Sequence, residues 1–410
     1  MSEKTKQNIV VRKPSKLLYW LMVPPAKLLA KLLFGFRVHK DKLISKVKGP
    51  MVVIGTHSCT MDVAFMMIAL MPRPLNIICG RDVFTWKPVK PLLRMAGLIP
   101  ISQFEMDLGS IRTMKKAVEM GCSLSLFPEG KRSIDGRNLH YISPSLAKFL
   151  KFMDAAVVMC HNNGGYCVSP RWSRAKRRGR VTQVTKLLFT VEQLRSMSVD
   201  EVYKKLKEEF TYNDNLYQRE HNLKVRCKKP ALGLHYLLYK CPNCGAEYEM
   251  ESTDNEIFCK VCGNAATVTE YGEIIAKENS VAYSRLDIWY DYEKESVREE
   301  IARPDFYISH PVKWRVNDPD TNIYHDMGEG ELYINSSEIG FEGKDLNGGR
   351  KSIVIPLKYL FTVVQKVDEA IDLTVDGVIN RFYFKDKKYS AKYNLIVEES
   401  FRKIHGLDKN

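Results

Sequence analysis

His57 and Asp62 stand five residues apart, directly after an apolar run at residues 51–55 with the texture of a buried strand. Five residues along one helix turn through about 500°, which leaves the two side chains roughly 140° apart. They meet only if His57 lies in the turn before a helix and Asp62 in the helix's first turns. There the carboxylate accepts the proton of one imidazole nitrogen, fixes the tautomer, and leaves the other nitrogen as a base. A helix N-terminus at that point also favours a nearby anion. Taken alone, such a pair is common by chance.

A second stretch, "LFPEGKRS", occupies residues 126–133. Proline cannot donate to the next position of a ladder, so Phe127-Pro128 ends a strand. Gly130 lets the backbone turn or approach a ligand closely. Lys131 and Arg132 then set two cations beside the Glu129 carboxylate. Two cations at a permissive turn leave its role open until the rest of the chain is read. By itself it also reads as a plain surface turn.

The third constellation is Cys241, Cys244, Cys259 and Cys262, two C-x2-C knuckles separated by fourteen residues. Each knuckle turns two thiolates to one side, and two knuckles close a tetrahedron around zinc. Gly245 and Gly263 follow the second cysteine of each and suit tight turns. Four protein ligands leave no open position, so the metal would be structural. The alternative, a pair of disulfides, is disfavoured in a reducing cytosol. The unit resembles a zinc ribbon, but a short and acidic one (Glu247, Glu249, Glu251, Asp254, Glu256), and reads as a folding staple or docking module. The remaining cysteines, Cys59, Cys79, Cys122, Cys160, Cys167 and Cys227, lie mostly in apolar runs and read as core thiols.

The elements that must position these residues follow from patterning. From residue 50 to about 190, apolar strand-like runs ("PMVVIGTH", "LNIICG", "GLIPIS", "CSLSLF", "AAVVMCHN") alternate with helical stretches. Such alternation indicates an α/β domain of mixed strands flanked by helices. Gly121 sits at a natural helix end and Ser198 at a natural helix start, with one helix expected to run on through residue 221. Residues 284–301 read as a helix, and from about 305 short β-rich runs precede a final helix. The expected organisation is a basic, amphipathic segment at 1–40, an α/β domain at 41–225, the ribbon at 238–275, a helical linker at 284–301 and a β-rich domain at 305–410. That last domain weakly resembles a small β-sandwich or barrel of the pleckstrin-homology type.

The 410 residues carry 63 Lys plus Arg against 48 Asp plus Glu, a net charge of +15. Such a balance favours an anionic partner: nucleic acid, anionic lipid or a phosphorylated substrate. Seven of the cations crowd residues 169–186, where they would attract lipid headgroups, coenzyme A phosphates or an acidic carrier protein, unless the loop is simply solvated. No recognition-helix motif or stacking set accompanies them, which disfavours nucleic acid. Near the N-terminus the longest uncharged apolar run is residues 17–26, interrupted by Pro24 and Pro25, whereas a span needs about 20 residues. Leu28, Leu29, Leu32, Leu33 and Phe36 fall at helical spacing with Lys27 and Lys31 beside them. An element lying on a membrane surface is expected, the alternative being a helix packed on the protein's own core.

Thr56-His57-x4-Asp62 after a strand, followed by Phe127-Pro128-Glu129-Gly130-Lys131-Arg132-Ser133 in the same domain, resembles the glycerolipid acyltransferases, whose best-known members are the 1-acylglycerol-3-phosphate acyltransferases. Their patterns are N-H-x4-D and F-P-E-G-T-R-S, and the resemblance covers roughly residues 15–215. It implies an enzyme that moves a fatty acyl group from acyl-CoA or acyl carrier protein to the free hydroxyl of lysophosphatidic acid, giving phosphatidic acid at the cytoplasmic face of the cell membrane. His57 would be the general base and Asp62 its orienting carboxylate, with Glu129, Gly130, Lys131 and Arg132 at the acceptor phosphate. The departures are Thr56 for asparagine, Lys131 for threonine, and Gln103 where the family places a phosphate-gripping arginine. Arg81, Arg112 or Lys131 would have to compensate. Another lysolipid or a glycolipid acceptor, and a non-catalytic lipid-binding scaffold, stay open as alternatives.

Overall fold

A computed structural model describes residues 11–80, 95–101, 108–138, 141–318, 321 and 323–407. The chain divides into two compact units: residues 1–169 with 178–217, and residues 170–177 with 218–410.

The first unit is built on a seven-stranded sheet. Its strands are β1 (Arg37–Lys40), β2 (Met51–Gly55), β3 (Leu75–Gly80), β4 (Ile99–Ile101), β5 (Ser123–Leu126), β6 (Ala156–Asn163) and β7 (Thr182–Phe189). They lie in the order β1-β7-β6-β2-β5-β3-β4, all parallel neighbours except β6 with β7. The central strands are apolar at nearly every position because both faces are covered. Val52 and Ile54 point into one core with Leu124, Leu126 and Val157, beneath α3 (Leu108–Glu119) and α4 (Ser145–Met153). Met51 and Val53 point into the other, with Leu75, Ile77 and Val158, against α2 (Asp62–Ala69). Burying such runs on two faces contributes roughly 1.5–3 kcal/mol per large apolar side chain.

The N-terminal helix departs from expectation. One helix, α1 (Lys16–Phe34), takes in both prolines. The carbonyls that Pro24 and Pro25 leave without an N–H belong to Trp20 and Leu21, whose side chains are on the exposed face. Ser15 Oγ accepts from the Leu18 N–H at one end, and Gly35 closes the other in the left-handed region. The helix is therefore long and apolar enough, by length and composition, to cross a membrane. Tyr19, Val23 and Ala30 are nevertheless buried in a cluster with Phe65 and Ile68 of α2, and the Tyr19 hydroxyl donates to the Met67 carbonyl at 2.8 Å. Leu17, Trp20, Leu21, Leu28, Leu29 and Leu32 remain exposed.

The helix expected to run on from Ser198 is two: α7 (Val199–Glu209) and α8 (Asp214–Glu220), after short helices α5 (Gly165–Val168) and α6 (Val191–Ser196). Ser198 caps α7 in a reciprocal box with Glu201. The break falls where Tyr212 N–H turns to Asn138 Oδ1 and Asn213 bridges to Arg137. Asn213 Oδ1 then accepts from Asn215 and Leu216 N–H and restarts the helix.

In the second unit, β8 (Met250–Ser252), β9 (Glu256–Cys259), β10 (Ala265–Val268) and β11 (Ile274–Ala276) form the antiparallel ribbon. After α9 (Leu286–Ile301) come β12 (Tyr307–Asn317), β13 (Tyr324–Asn335), β14 (Glu338–Asp345), β15 (Arg350–Pro356), β16 (Val364–Lys366), β17 (Ala370–Val375) and β18 (Val378–Phe384). They make one antiparallel sheet of two meanders joined where β12 pairs with β18, and α10 (Tyr389–Ile404) closes the domain.

The basic segment is less available than its charge promised. Arg174 pairs with Asp368 and donates to the Val367 carbonyl, Arg171 donates to the Gln365 carbonyl, and Arg177 donates to the Pro230 carbonyl while lying over Trp172. Those three arginines hold residues 170–177 within the second unit, and the exposed cations left in the run include Lys176, Arg178 and Arg180.

Candidate active site

β2 lies between β5 and β6, and the parallel register sets Ile54 opposite Leu126 and Gly55 opposite Cys160. Three residues beyond the Ile54–Leu126 pair, His57 and Glu129 leave the same end of the sheet. This is the carboxyl end, where open α/β sheets bind ligands.

His57 lies in the turn and Asp62 is the first residue of α2. His57 Nδ1 is 2.8 Å from Asp62 Oδ2. An ionised carboxylate can only accept, so Nδ1 carries the proton and Nε2 the basic lone pair. The Asp62 side chain is wholly buried and that of His57 is 23% exposed. The N–H groups of Ser58 and Cys59 donate to Asp62 Oδ2 at 2.7 and 2.9 Å. Oδ1 receives the Cys59 thiol at 3.0 Å and the Asn162 side-chain amide at 2.9 Å. Burial, with Asp62 beside it, pushes the Cys59 thiol well up, which keeps it a donor rather than a nucleophile. The imidazole stacks on Phe127, ring centres 4.4 Å apart.

The second motif is tied to the first through its backbone. Glu129 Oε1 accepts the His57 N–H at 2.8 Å, and the Ser133 N–H donates to the His57 carbonyl at 2.7 Å. Gly130 has φ +70°, which an L side chain rarely adopts. Arg132 Nη1 donates to Thr60 Oγ1 at 2.8 Å, and burial draws its pKa down against the opposing pull of Asp62. Lys131 is buried. Arg112 lies on the exposed side of α3, and among the described residues no hydrogen bond or ion pair joins it to His57, Asp62 or residues 129–132. Arg81 and Gln103 fall outside the described residues.

Sequence reading missed four contributions. Glu129 holds the His57 backbone. Cys59 is a donor to Asp62 as well as a core thiol. Asn162 and Asp214 carried no local signal, since both reach the site from distant strands and helices. Asp214, wholly buried, accepts from the Gly164 and Tyr166 N–H groups at 2.9 and 2.7 Å. Burial pushes it up to about 7 despite those bonds.

In the ribbon, Cys241 Sγ stands 3.7 Å from Cys262 Sγ, and Cys244 Sγ 3.8 Å from Cys259 Sγ, with all four sulfurs within 4.8 Å of one another. The edge of a tetrahedron with Zn–S of about 2.3 Å is about 3.8 Å. The four cysteines thus fit a closed zinc site, and the spacing is far too long for a disulfide.

A mixed α/β sheet with a histidine–carboxylate pair at the carboxyl ends of its central parallel strands defines the class of the first unit. Residues 35–168 match the family model described as Acyltransferase. No curated protein matches the chain. Among solved structures, the 1-acyl-sn-glycerophosphate (LPA) acyltransferase PlsC from Thermotoga maritima is 16% identical, with TM-score 0.40, covering 50% of this chain and 79% of its own. The Ran binding domain of the nuclear complex component Nup2 from Ashbya gossypii is 15% identical, with TM-score 0.19, covering 23% of this chain and 92% of its own.

Proposed function

We propose that the first unit transfers a fatty acyl group from a thioester, acyl-CoA or acyl carrier protein, to the free hydroxyl of lysophosphatidic acid, giving phosphatidic acid. The observation that carries the reading is the His57–Asp62 pair at 2.8 Å, with Nε2 left as the base and the basic turn bound to the same histidine's backbone. As the acceptor oxygen attacks the thioester carbonyl carbon, its proton passes to Nε2. The C–S bond then breaks, and the imidazolium returns the proton to the departing thiolate. Asp62 holds the ring and offsets the imidazolium charge. Arg132 and Lys131, with Gly130 giving backbone access, would face the acceptor phosphate. The exposed apolar side of α1 would rest on an anionic, cytoplasmic membrane surface. Zinc would occupy the ribbon and hold its fold.

One observation favours a second acceptor class. Lys131 is buried and Arg132 is already bonded to Thr60, so the turn presents less open charge than two cations promise. Another lysolipid or a glycolipid hydroxyl would need less.

Acyl transfer by the purified chain in mixed micelles tests both. Lysophosphatidic acid is offered beside other lysophospholipids and a glycolipid, with each donor, and His57→Ala as control. Selective transfer to lysophosphatidic acid, lowered about 10²–10⁴-fold in His57→Ala with an unchanged melting temperature, supports the proposal. Transfer to another acceptor alone moves the substrate. A His57→Ala enzyme keeping more than about a tenth of the activity removes the base.

A further inference from the structure

We infer that Asn162 is a positioning residue for the proposed reaction, supplying from β6 the amide that orients the Asp62 carboxylate. The inference rests on the reading of His57 and Asp62 as base and orienting carboxylate.

A buried carboxylate that steadies an imidazolium must not rotate, and both its oxygens need donors. Oδ2 of Asp62 is well held, by two backbone N–H groups and by His57 itself. Oδ1 is held by a thiol, which is a weak donor, and by the Asn162 Nδ2 amide at 2.9 Å. The amide is thus the stronger donor of the two on Oδ1. It is buried, so no water replaces it freely.

Asn162 is itself fixed against the motif it serves. Its strand pairs with β2 up to Gly55, one residue before Thr56. Its backbone N–H approaches Thr56 Oγ1 at 3.5 Å, and its carbonyl accepts from Ser58 Oγ at 3.4 Å. Gly165 allows this close packing, because a Cβ there would stand 2.4 Å from Ser58 Oγ. Thr56, the residue before His57, has no amide to offer the carboxylate. The structure places a buried amide on the carboxylate from the neighbouring strand.

Two substitutions separate orientation from mere folding. Asn162→Ala should lower kcat about 10–100-fold, the size seen when an outer partner of a working group is lost, with both KM values within about twofold. Asn162→Asp keeps the shape and places two carboxyls side by side, so that one proton is shared at a raised pKa. While the proton is present, the neutral carboxyl introduced by Asn162→Asp donates to Asp62 as the amide did. When it leaves, the donor is gone and two like charges face each other. That variant should therefore be most active at the lower end of the working range and lose activity, relative to the wild type, as pH rises. His57 titration followed by NMR in the full chain gives a readout independent of turnover, and should move in Asn162→Ala. Wild-type kcat and an unmoved His57 titration in a folded Asn162→Ala chain overturn the inference. So does an Asn162→Asp profile parallel to wild type. A wild type without transfer to any acceptor, but with the His57 titration moved by Asn162→Ala, sinks the proposed function and leaves the positioning contact standing.

Discussion

The two sites are built in opposite ways. The ribbon's four ligands come from 22 residues of chain, two to each knuckle, and the spacing is itself the geometry. The His57–Asp62 site draws on the ends of three strands: β2 gives the histidine, β5 the glutamate that holds its backbone, and β6 the amide on its carboxylate. A metal would complete the first site, so that local residues would suffice. Protein groups alone must hold the second, so its supports come from up to a hundred residues away. A short-range site depends on its ion, and a long-range one depends on the sheet.

Removing the metal should have the largest effect. Cys241→Ser, or a strong chelator, takes away the ion that would stabilise β8–β11 by about 10 kcal/mol or more. Metal analysis should find one zinc per chain in the wild type and almost none in the variant, with new proteolytic cuts within residues 238–275. A ribbon that stays resistant to protease without metal would erase the contrast.

Next comes pH, which bears on the sheet-built site through Asp214. Its folded-state value, about 7, lies above the ordinary 3.8. The folded chain then holds the extra proton between those values, so stability from this group is full below about pH 4 and is lost as pH rises through 7. Urea midpoints should show that decline between pH 4 and 8, and Asp214→Asn should flatten it. The same slope in both proteins would mean the buried carboxyl does not hold its proton. The smallest effect belongs to a purely local device: Ser198→Ala removes the cap of α7 and should cost about 1 kcal/mol by chemical denaturation, with transfer activity unaltered. A larger cost, or lost activity, would tie that helix end to the site.

Much of the fold was legible because its signals are local. Continuous apolar runs such as residues 51–55 imply strands covered on both faces, and Ser198 and Gly121 mark helix ends through their own backbone chemistry. The prolines of α1 misled: one helix runs through both, and the residues whose carbonyls they leave without an N–H have exposed side chains. Part of the charge of residues 169–186 has partners that no local pattern shows: Arg171, Arg174 and Arg177 are taken up by carbonyls and by Asp368, some nearly two hundred residues distant.

What residue type and spacing determined by themselves was chemistry that is short in range: a tetrahedral cysteine set, a histidine that reaches an aspartate across one turn, and a glycine that permits a tight bend. Tertiary structure alone decided which groups finish the work. Asn162 reaches Asp62 because β6 pairs beside β2 in one register, and Glu129 reaches His57 because β5 pairs on the other side. Strand order and register are set by the packing of both faces of the sheet together, and no stretch of chain contains that information on its own.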